Sequence, residues 1–309
     1  MIISIIVPTY NRNEILVNTL RSIINEIENC SVCNIIELIV VDQSTSHTEE
    51  VNSFLQKCNN LSYFIYVKEK VASLPNARNV GLLKASGEIV LFLDDDVLLC
   101  DNFFSKLVNG YHDECICSVV GGITVVNKDG NILLNNQSFL KKAAKRILSS
   151  ILGLGKPFFI SKIGFIISNP ESSKETIVDM GFGCNMSFKK EVFNTVGLFD
   201  VNYRGNALRE ETDLFFRIKS NHGKVLFKPD MHLQHVMANT GGCRNDINEE
   251  YWRTYFYNQC YFYIKNFNFS LHRIKIILLF DYIKCRRNGF DIDNIIKDAY
   301  KEAQSLLIQ

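Results

Sequence analysis

The first hundred residues alternate between short apolar runs and longer segments with helical spacing. Residues 2–7 are apolar except for Ser4, which predicts a strand buried on both faces, and Pro8 ends it. Leu16, Leu20, Ile23 and Ile27 then recur at helical spacing, so an amphipathic helix follows. Residues 35–41 predict a second strand whose only charge is Glu37, and Thr48-Glu49-Glu50-Val51 a helix start leading to Phe54 and Leu55. Residues 63–67 predict a third, weaker strand. From Asn76 a helical phrase sets Ala77, Val80, Leu83 and Lys84 on one face and breaks at Ser86-Gly87. It gives way to Ile89-Val90-Leu91-Phe92-Leu93, a fourth buried strand. Strands and helices in strict alternation predict an α/β fold with a doubly wound, mostly parallel sheet flanked by helices.

After residue 100 the pattern predicts a helix near 102–111, a strand over 118–126, a helix over 189–196 stopped by Gly197, and a helix after Arg209 with Leu214, Phe215 and Ile218 on one face. Short strands at 224–227 and 232–235 flank Pro229-Asp230. Residues 127–173 show no clear period and read as an insertion, with a basic patch (Lys141, Lys142, Lys145, Arg146) and a hinge-like Gly153-Leu154-Gly155. From residue 247 only helices are expected. Ten of the nineteen residues from 251 to 269 are aromatic, among them Trp252, the single tryptophan. Such a stripe reads first as helix-to-helix packing, although aromatics beside Lys265, Arg273, Lys275, Lys284, Arg286 and Arg287 also suit a membrane interface. The expected organisation is a domain over 1–240, split into halves 1–100 and 101–240 with the insertion at 127–173, and a helical C-terminal region over 241–309.

Polar residues recur where the strands end: Thr9 and Tyr10 after the first, Asp42 after the second, Asp94, Asp95 and Asp96 after the fourth. In an open α/β sheet, ligands bind outside the carboxyl ends of the strands, so these groups converge on a nucleotide-type site. An isolated acidic triplet is usually a solvated turn, and acids in a first helical turn, such as Glu210 and Glu211, usually complement the helix dipole. Here the triplet closes a buried strand with no lysine or arginine within several residues. Like charges so placed repel and lose hydration, and a divalent cation is the economical remedy. Neither G-x-G-x-x-G after the first strand nor G-x-x-x-x-G-K is present, which argues against a dinucleotide enzyme or P-loop phosphotransferase. A metal must then do for the phosphates what backbone amides do elsewhere.

With 34 basic and 33 acidic residues the net charge is +1, and nothing points to a nucleic-acid partner. The ten cysteines lack a paired metal array and read as reduced packing residues of a cytoplasmic protein. The opening apolar run is too short for a signal peptide, and residues 274–283, the nearest approach to a membrane span, contain Lys275 and Asp281. The expectation is a soluble protein, attached at most to a membrane face.

Taken together, I5-I-V-P-T-Y-N-R12, L38-I-V-V-D-Q-S44, N76-A-R-N79 with Gly81, G87-E-I through Asp96, and E210-E-T-D213 resemble a family 2 glycosyltransferase of the GT-A fold, over about residues 1–240. The resemblance implies an inverting enzyme, of hexosyl- or N-acetylhexosaminyltransferase type, using a UDP-sugar or similar donor with Mn²⁺ or Mg²⁺. It puts Pro8, Thr9 and Tyr10 against the base, with Tyr10 stacking, Asp42 bonding the base and Arg78 near the nucleotide. Asp94 and Asp96 match the D-x-D aspartates, Asp94 nearer the ribose and Asp96 on the metal, while Asp95 fills the variable place beside the nucleotide. Asp94, Asp96 and His235 form the expected metal set, with His232 in reserve. The catalytic base falls on Glu211, where the family more often has Asp, and Glu210 competes for the role because one methylene matters at reacting distance. The acceptor implied is a glycan or lipid-linked glycan of bacterial surface polysaccharide biosynthesis, reached at the inner membrane face by peripheral contact. The alternatives are a nucleotide-sugar-binding partner subunit without activity and a nucleotidyltransferase, although the latter normally carries a glycine-rich basic loop where this chain has Pro8-Thr9-Tyr10.

Overall fold

A computed structural model describes residues 1–30, 35–127, 129–133, 157–168, 172–237 and 248–308. The basic patch at 141–146, the glycines at 153 and 155, the boundary expected near 240–245 and Cys33 lie outside the described residues. The chain opens β1 (Ile2–Thr9), α1 (Glu14–Glu28), β2 (Ile35–Asp42), α2 (Glu49–Cys58), β3 (Phe64–Lys68), α3 (Leu74–Lys84) and β4 (Ile89–Leu93). Then come β5 (Val97–Leu99), α4 (Phe103–Asn109), β6 (Ile116–Val126), β7 (Phe158–Ile160), β8 (Ile166–Ser168), β9 (Thr176–Val178), β10 (Asn185–Lys189) and α5 (Val192–Val196). It closes with α6 (Glu210–Ser220), β11 (Lys224–Val236), α7 (Glu249–Phe267), α8 (Leu271–Ile277), α9 (Leu279–Arg287) and α10 (Ile292–Ile308).

The main sheet runs β3-β2-β1-β4-β10-β6-β11-β5, with β9 paired to β11. Its first four strands are parallel, as are β6 and β11, whereas β10 and the strands β5 and β9 run antiparallel to their neighbours. The apolar runs work as the two-residue period of a strand requires. Ile3, Ile5 and Val7 of β1 and Ile89, Leu91 and Leu93 of β4 enter one core, packed on Leu16, Leu20 and Ile23 of α1 and Phe103, Phe104 and Leu107 of α4. Ile6, Val90 and Phe92 point the other way, onto Ala77 and Leu82 of α3 and Leu214, Phe215 and Ile218 of α6. Each such side chain stabilises the fold by roughly 1.5–3 kcal/mol. This two-sided burial fixes the carboxyl ends of β1, β2 and β4 as neighbours, with Thr9 opposite Asp42.

Three expectations are corrected. The inward face of α3 is Ala77, Arg78, Gly81 and Leu82, while Leu83 is 73% exposed. Gly81 sets this rotation, because a Cβ there would come within 2.4 Å of Ile6, so the helix lies directly on β1. The two short strands expected around Pro229 form one strand, β11, with the register shifting between Lys228 and His232, where a proline costs no ladder bond. The segment before α5 contains β10, whose Met186 and Phe188 are too short a period to read unaided, and the helix expected from residue 189 begins at Val192.

The C-terminal helices have their own core of Trp252, Phe256, Cys260, Tyr263, Ile274, Leu278 and Ile296. They are also bound to the α/β domain: Lys265 Nζ lies 2.7 Å from Asp200 and 2.9 Å from Asp213, and Asn266 donates to Asp213 Oδ1 at 2.9 Å. Among the described residues the cysteines are free thiols, and no helix is long and apolar enough to cross a membrane.

Candidate active site

A cavity of about 410 Å³ opens at the carboxyl ends of β1 and β4. Pro8, Thr9 and Tyr10 line it on one side, Asp94, Asp95, Asp96 and His235 on another, with Arg12, Gln43, Ser73, Gly205 and Asn206 completing the wall. That volume falls in the range of small-molecule sites.

The acidic turn is held by its neighbours. Thr19 of α1 donates to Asp95 O and accepts from Val97 N, each at 3.0 Å. The turn then enters β5, which pairs antiparallel with β11 and sets Val97 opposite His235, while Val236 N donates to Asp96 O at 2.8 Å. This pairing carries a histidine 139 positions away in sequence (235 − 96) to Asp96, where Nε2 lies 3.0 Å from Oδ1. His232, three residues earlier, bonds Thr124 at 2.8 Å. Of the two histidines, His235 is the one beside the acids.

The three aspartates differ. Asp95 accepts from Thr9 Oγ1 at 2.6 Å and lies 3.6 Å from Arg12 Nε, so its carboxylate points back into the loop after β1. Burial, and after it the charge of Asp96, pushes Asp95 up to about 7 against the pull of Arg12. Asp96 is buried between His235 and Arg12, whose Nη2 is 3.4 Å away. Asp94 is the most open, with its side chain 33% exposed and 3.3 Å from Arg78 Nη2, and burial raises its pKa too. Sequence proximity had suggested carboxylates with no cation at hand, but Arg12 and Arg78 arrive through the fold. Two guanidiniums facing three carboxylates still leave the cluster short of positive charge.

Arg78 is a buried hub. It pairs with Glu210, reaches Asp94, donates to Gly183 O at 3.2 Å and lies over the Phe199 ring at 5.6 Å. A Cβ on Gly183 would meet Nη2 at 2.6 Å, so glycine is what admits the guanidinium. Arg78 therefore stands behind the cavity wall. Glu210 is 1% exposed and engaged by that arginine, whereas Glu211 is half-buried and accepts from Thr212 Oγ1 at 3.2 Å. Left-handed Ala207 and Arg209 shape the entry to α6, just after Gly205 and Asn206 on the cavity wall.

Asp42 closes β2 but is fully buried and lies behind Gln43. His47 Nε2 at 3.0 Å, Lys68 Nζ at 2.7 Å, Ser44 N at 2.8 Å and the Tyr66 hydroxyl all bond its carboxylate. Burial alone would raise its pKa, yet the Lys68, Tyr66 and Ser44 donors outweigh it and hold Asp42 at about 2.

The donor set fits a divalent ion. Asp94, Cys184 and His235 each offer a ligand atom within 4.8 Å of the others, with Asp96 against His235. Carboxylate oxygens suit Mn²⁺ and Mg²⁺ alike, while burial and the charges of Asp94 and Asp96 push the Cys184 thiol well up, so it is a weak ligand beside the carboxylates and the imidazole. Sequence reasoning missed Cys184, Arg12, Gln43 and His47. Of these only Arg12 carried a signal, as a lone cation in the polar loop after β1. The others depend on pairing partners distant in the chain or on a loop conformation.

A twisted α/β sheet with an acidic, cation-ready cleft at its switch from parallel to antiparallel strands is the GT-A arrangement. Residues 4–197 match the glycosyl transferase family 2 description, and the chain belongs to that family. The GalNAc(5)-diNAcBac-PP-undecaprenol beta-1,3-glucosyltransferase of Campylobacter jejuni is 30% identical over 202 residues, 65% of this chain and 59% of that protein. The poly(ribitol-phosphate) beta-N-acetylglucosaminyltransferase TarP of Staphylococcus aureus is 31% identical over 107 residues, 35% of this chain and 32% of TarP. The match thus spans less than two thirds of the length of either relative. The fold is shared with GalNAc-T7 bound to UDP, GalNAc and Mn²⁺ (TM-score 0.56, 17% identity, 89% of this chain and 53% of that one). It is shared also with the mannosyltransferase PcManGT of Pyrobaculum calidifontis bound to GDP-Man and Mn²⁺ (TM-score 0.54, 17% identity, 99% and 78%).

Proposed function

We propose that this protein is an inverting glycosyltransferase that moves a sugar from a nucleotide diphosphate donor, a UDP-sugar, to a glycan or lipid-linked acceptor in bacterial surface polysaccharide synthesis. The observation that carries this reading is the convergence of Thr9, Tyr10, Asp94, Asp96 and His235 on one cavity of about 410 Å³. Tyr10 and Thr9 receive the base and Asp94 the ribose side. Asp94, Asp96 and His235, with Cys184 alongside, hold Mn²⁺ or Mg²⁺. When bound, such an ion supplies positive charge for the diphosphate that leaves, a contribution of several kcal/mol.

Glu211 removes the acceptor hydroxyl proton as that oxygen attacks the anomeric carbon, and a single displacement inverts the configuration. The pairing of Glu210 with Arg78 supports this choice, because a carboxylate already committed to a buried guanidinium is a poor base. Asp42 acts from outside the cavity lining by holding the Ser44 backbone N–H, next to Gln43, and Arg78 acts through Asp94 and Glu210. The undecaprenol-linked acceptor in the name of the Campylobacter jejuni relative supports a hexosyl or N-acetylhexosaminyl transfer to a lipid-linked glycan, and a cytoplasmic enzyme peripheral to the inner membrane face.

Saturation-transfer NMR against UDP- and GDP-sugars with Mn²⁺, followed by donor turnover with and without EDTA, tests the reading. EDTA-sensitive binding of a UDP-sugar is expected, and no uptake of any donor overturns it. Glu211→Gln is expected to lose about 10²- to 10⁴-fold in turnover while UDP affinity holds. Unchanged turnover would move the base to Glu210.

A further inference from the structure

The outward face of α8 and α9 carries an apolar stripe with no partner among the described residues. Ile276, Leu279, Phe280 and Ile283 follow the i, i+3, i+4, i+7 spacing of one helix face and are 56%, 51%, 83% and 39% exposed. The helical path continues across Leu278: its N–H donates to Ile274 O at 2.9 Å, and Tyr282 N donates to Leu278 O at 2.8 Å. The two helices therefore present one surface. Their other side is already used, since Ile274, Leu278 and Cys285 are buried in the C-terminal core. Single exposed apolar residues need no account, but four in a stripe mark an interaction surface.

The same stretch is basic. Residues 271–290 contain Arg273, Lys275, Lys284, Arg286 and Arg287 against one acid, Asp281. The charge of Asp281 acts on the Tyr255 hydroxyl of α7, and Lys275 is held by Asp293 at 2.7 Å. Arg273 lies over the Phe269 ring at 3.8 Å, while Lys284, Arg286 and Arg287 are exposed. Apolar side chains rimmed by cations fit the boundary between anionic headgroups and acyl chains. A second copy fits less well, because a two-fold contact through this face would set like charges together.

We propose that the α8–α9 face docks the protein on an anionic lipid bilayer, Phe280 and its apolar neighbours entering the headgroup boundary while Lys284, Arg286 and Arg287 meet lipid phosphates. No described helix is fit to span a membrane, so this pair lies in the plane of the interface. The inference deepens the peripheral location proposed above, yet rests on residues remote from the cavity lining.

Flotation of the full chain with vesicles tests it. The protein is expected to rise with vesicles of mixed phosphatidylglycerol and phosphatidylcholine, to stay behind with phosphatidylcholine alone, and to be released by salt. Phe280→Glu and the pair Lys284→Glu with Arg287→Glu should each lower vesicle affinity about tenfold or more. These positions are exposed, so far-UV circular dichroism and vesicle-free donor turnover should match the unmodified protein, which separates failure of docking from failure of the transferase reading. Absence of flotation at low salt overturns the proposal, as does undiminished binding of Phe280→Glu. A vesicle-free dimer that Phe280→Glu dissociates would assign the face to a second copy instead.

Discussion

Acids stand at the carboxyl ends of β2 and β4, on either side of β1, and their surroundings are opposite. Asp42 after β2 has Lys68, His47, Tyr66 and Ser44 all bonded to it, and its proton leaves at about 2. Asp94 to Asp96 after β4 have two guanidiniums among three acids, and Asp95 holds its proton to about 7. A single sheet edge thus carries one carboxylate that several donors hold ionised and a triplet in which acids outnumber guanidiniums. The contrast separates an acid held by its own fold from acids that line a cavity, although both read as polar strand ends in sequence.

The largest expected effect comes from the acidic triplet. Asp96→Ala should cost a thousandfold or more in metal-dependent turnover, roughly the several kcal/mol attributed to charge stabilisation of a leaving group. Isothermal titration should find no Mn²⁺-linked uptake of UDP. Next in size is Arg78→Met. Removing the hub leaves Glu210 and Asp94 without their buried partner, a loss of about 3–5 kcal/mol, read as a lower midpoint in urea. A midpoint within experimental scatter of the unmodified protein would show that Arg78 neutralises neither acid.

Asp42→Asn addresses the satisfied group and should cost about 2 kcal/mol at neutral pH, since a buried network loses its charge-assisted bonds. The pH dependence fixes the cause. The folded pKa of about 2 lies below the unfolded value of roughly 3.9, so the stability Asp42 contributes is complete above pH ~4 and is lost as pH falls toward 2. The gap between variant and unmodified protein should therefore close across that window in urea titrations. A constant gap would mean that packing, not charge, was lost.

How much of this the sequence disclosed follows the same division. The strands that contribute Thr9, Asp42 and Asp94 are largely apolar runs, and their ends lie side by side because β1 pairs in parallel with β2 on one side and β4 on the other. The alternation of strands and helices in that half could be read directly, whereas of the polar ends Thr9 and Asp94 line the cavity and Asp42 does not. The neutralising cations could not be read: Arg12 lies on a loop, and Arg78 sits on a helix face whose rotation is set by Gly81 meeting Ile6. His235 was assigned from the need of an acidic triplet for another ligand and from the resemblance, and what brings it there, the antiparallel pairing of β5 with β11, depends on three-residue β5, which no periodicity announces. Cys184 sits directly before β10, a strand that also escaped the pattern.

The smallest effect sharpens the comparison most, because the two groups should respond to pH with opposite sign. Asp95 keeps its proton in the folded state to about 7 against roughly 3.9 unfolded, so the metal-free protein loses stability from this group as pH rises between those values. Mn²⁺ acts in the other direction, since the cluster holds a cation best when its carboxylates are ionised. The melting temperature gained on adding Mn²⁺ should therefore be larger at pH 8 than at pH 5.5. At about 100 times the dissociation constant, ligand linkage is worth about 2.7 kcal/mol, a shift of several degrees for a chain of this size. Asp95→Asn should flatten the metal-free slope, whereas Asp42→Asn should leave both the slope and the Mn²⁺ shift as they are between pH 5.5 and 8. If Asp42→Asn abolished the Mn²⁺ shift, Asp42 and the triplet would form one charge system, and the division between the two strand ends would fail.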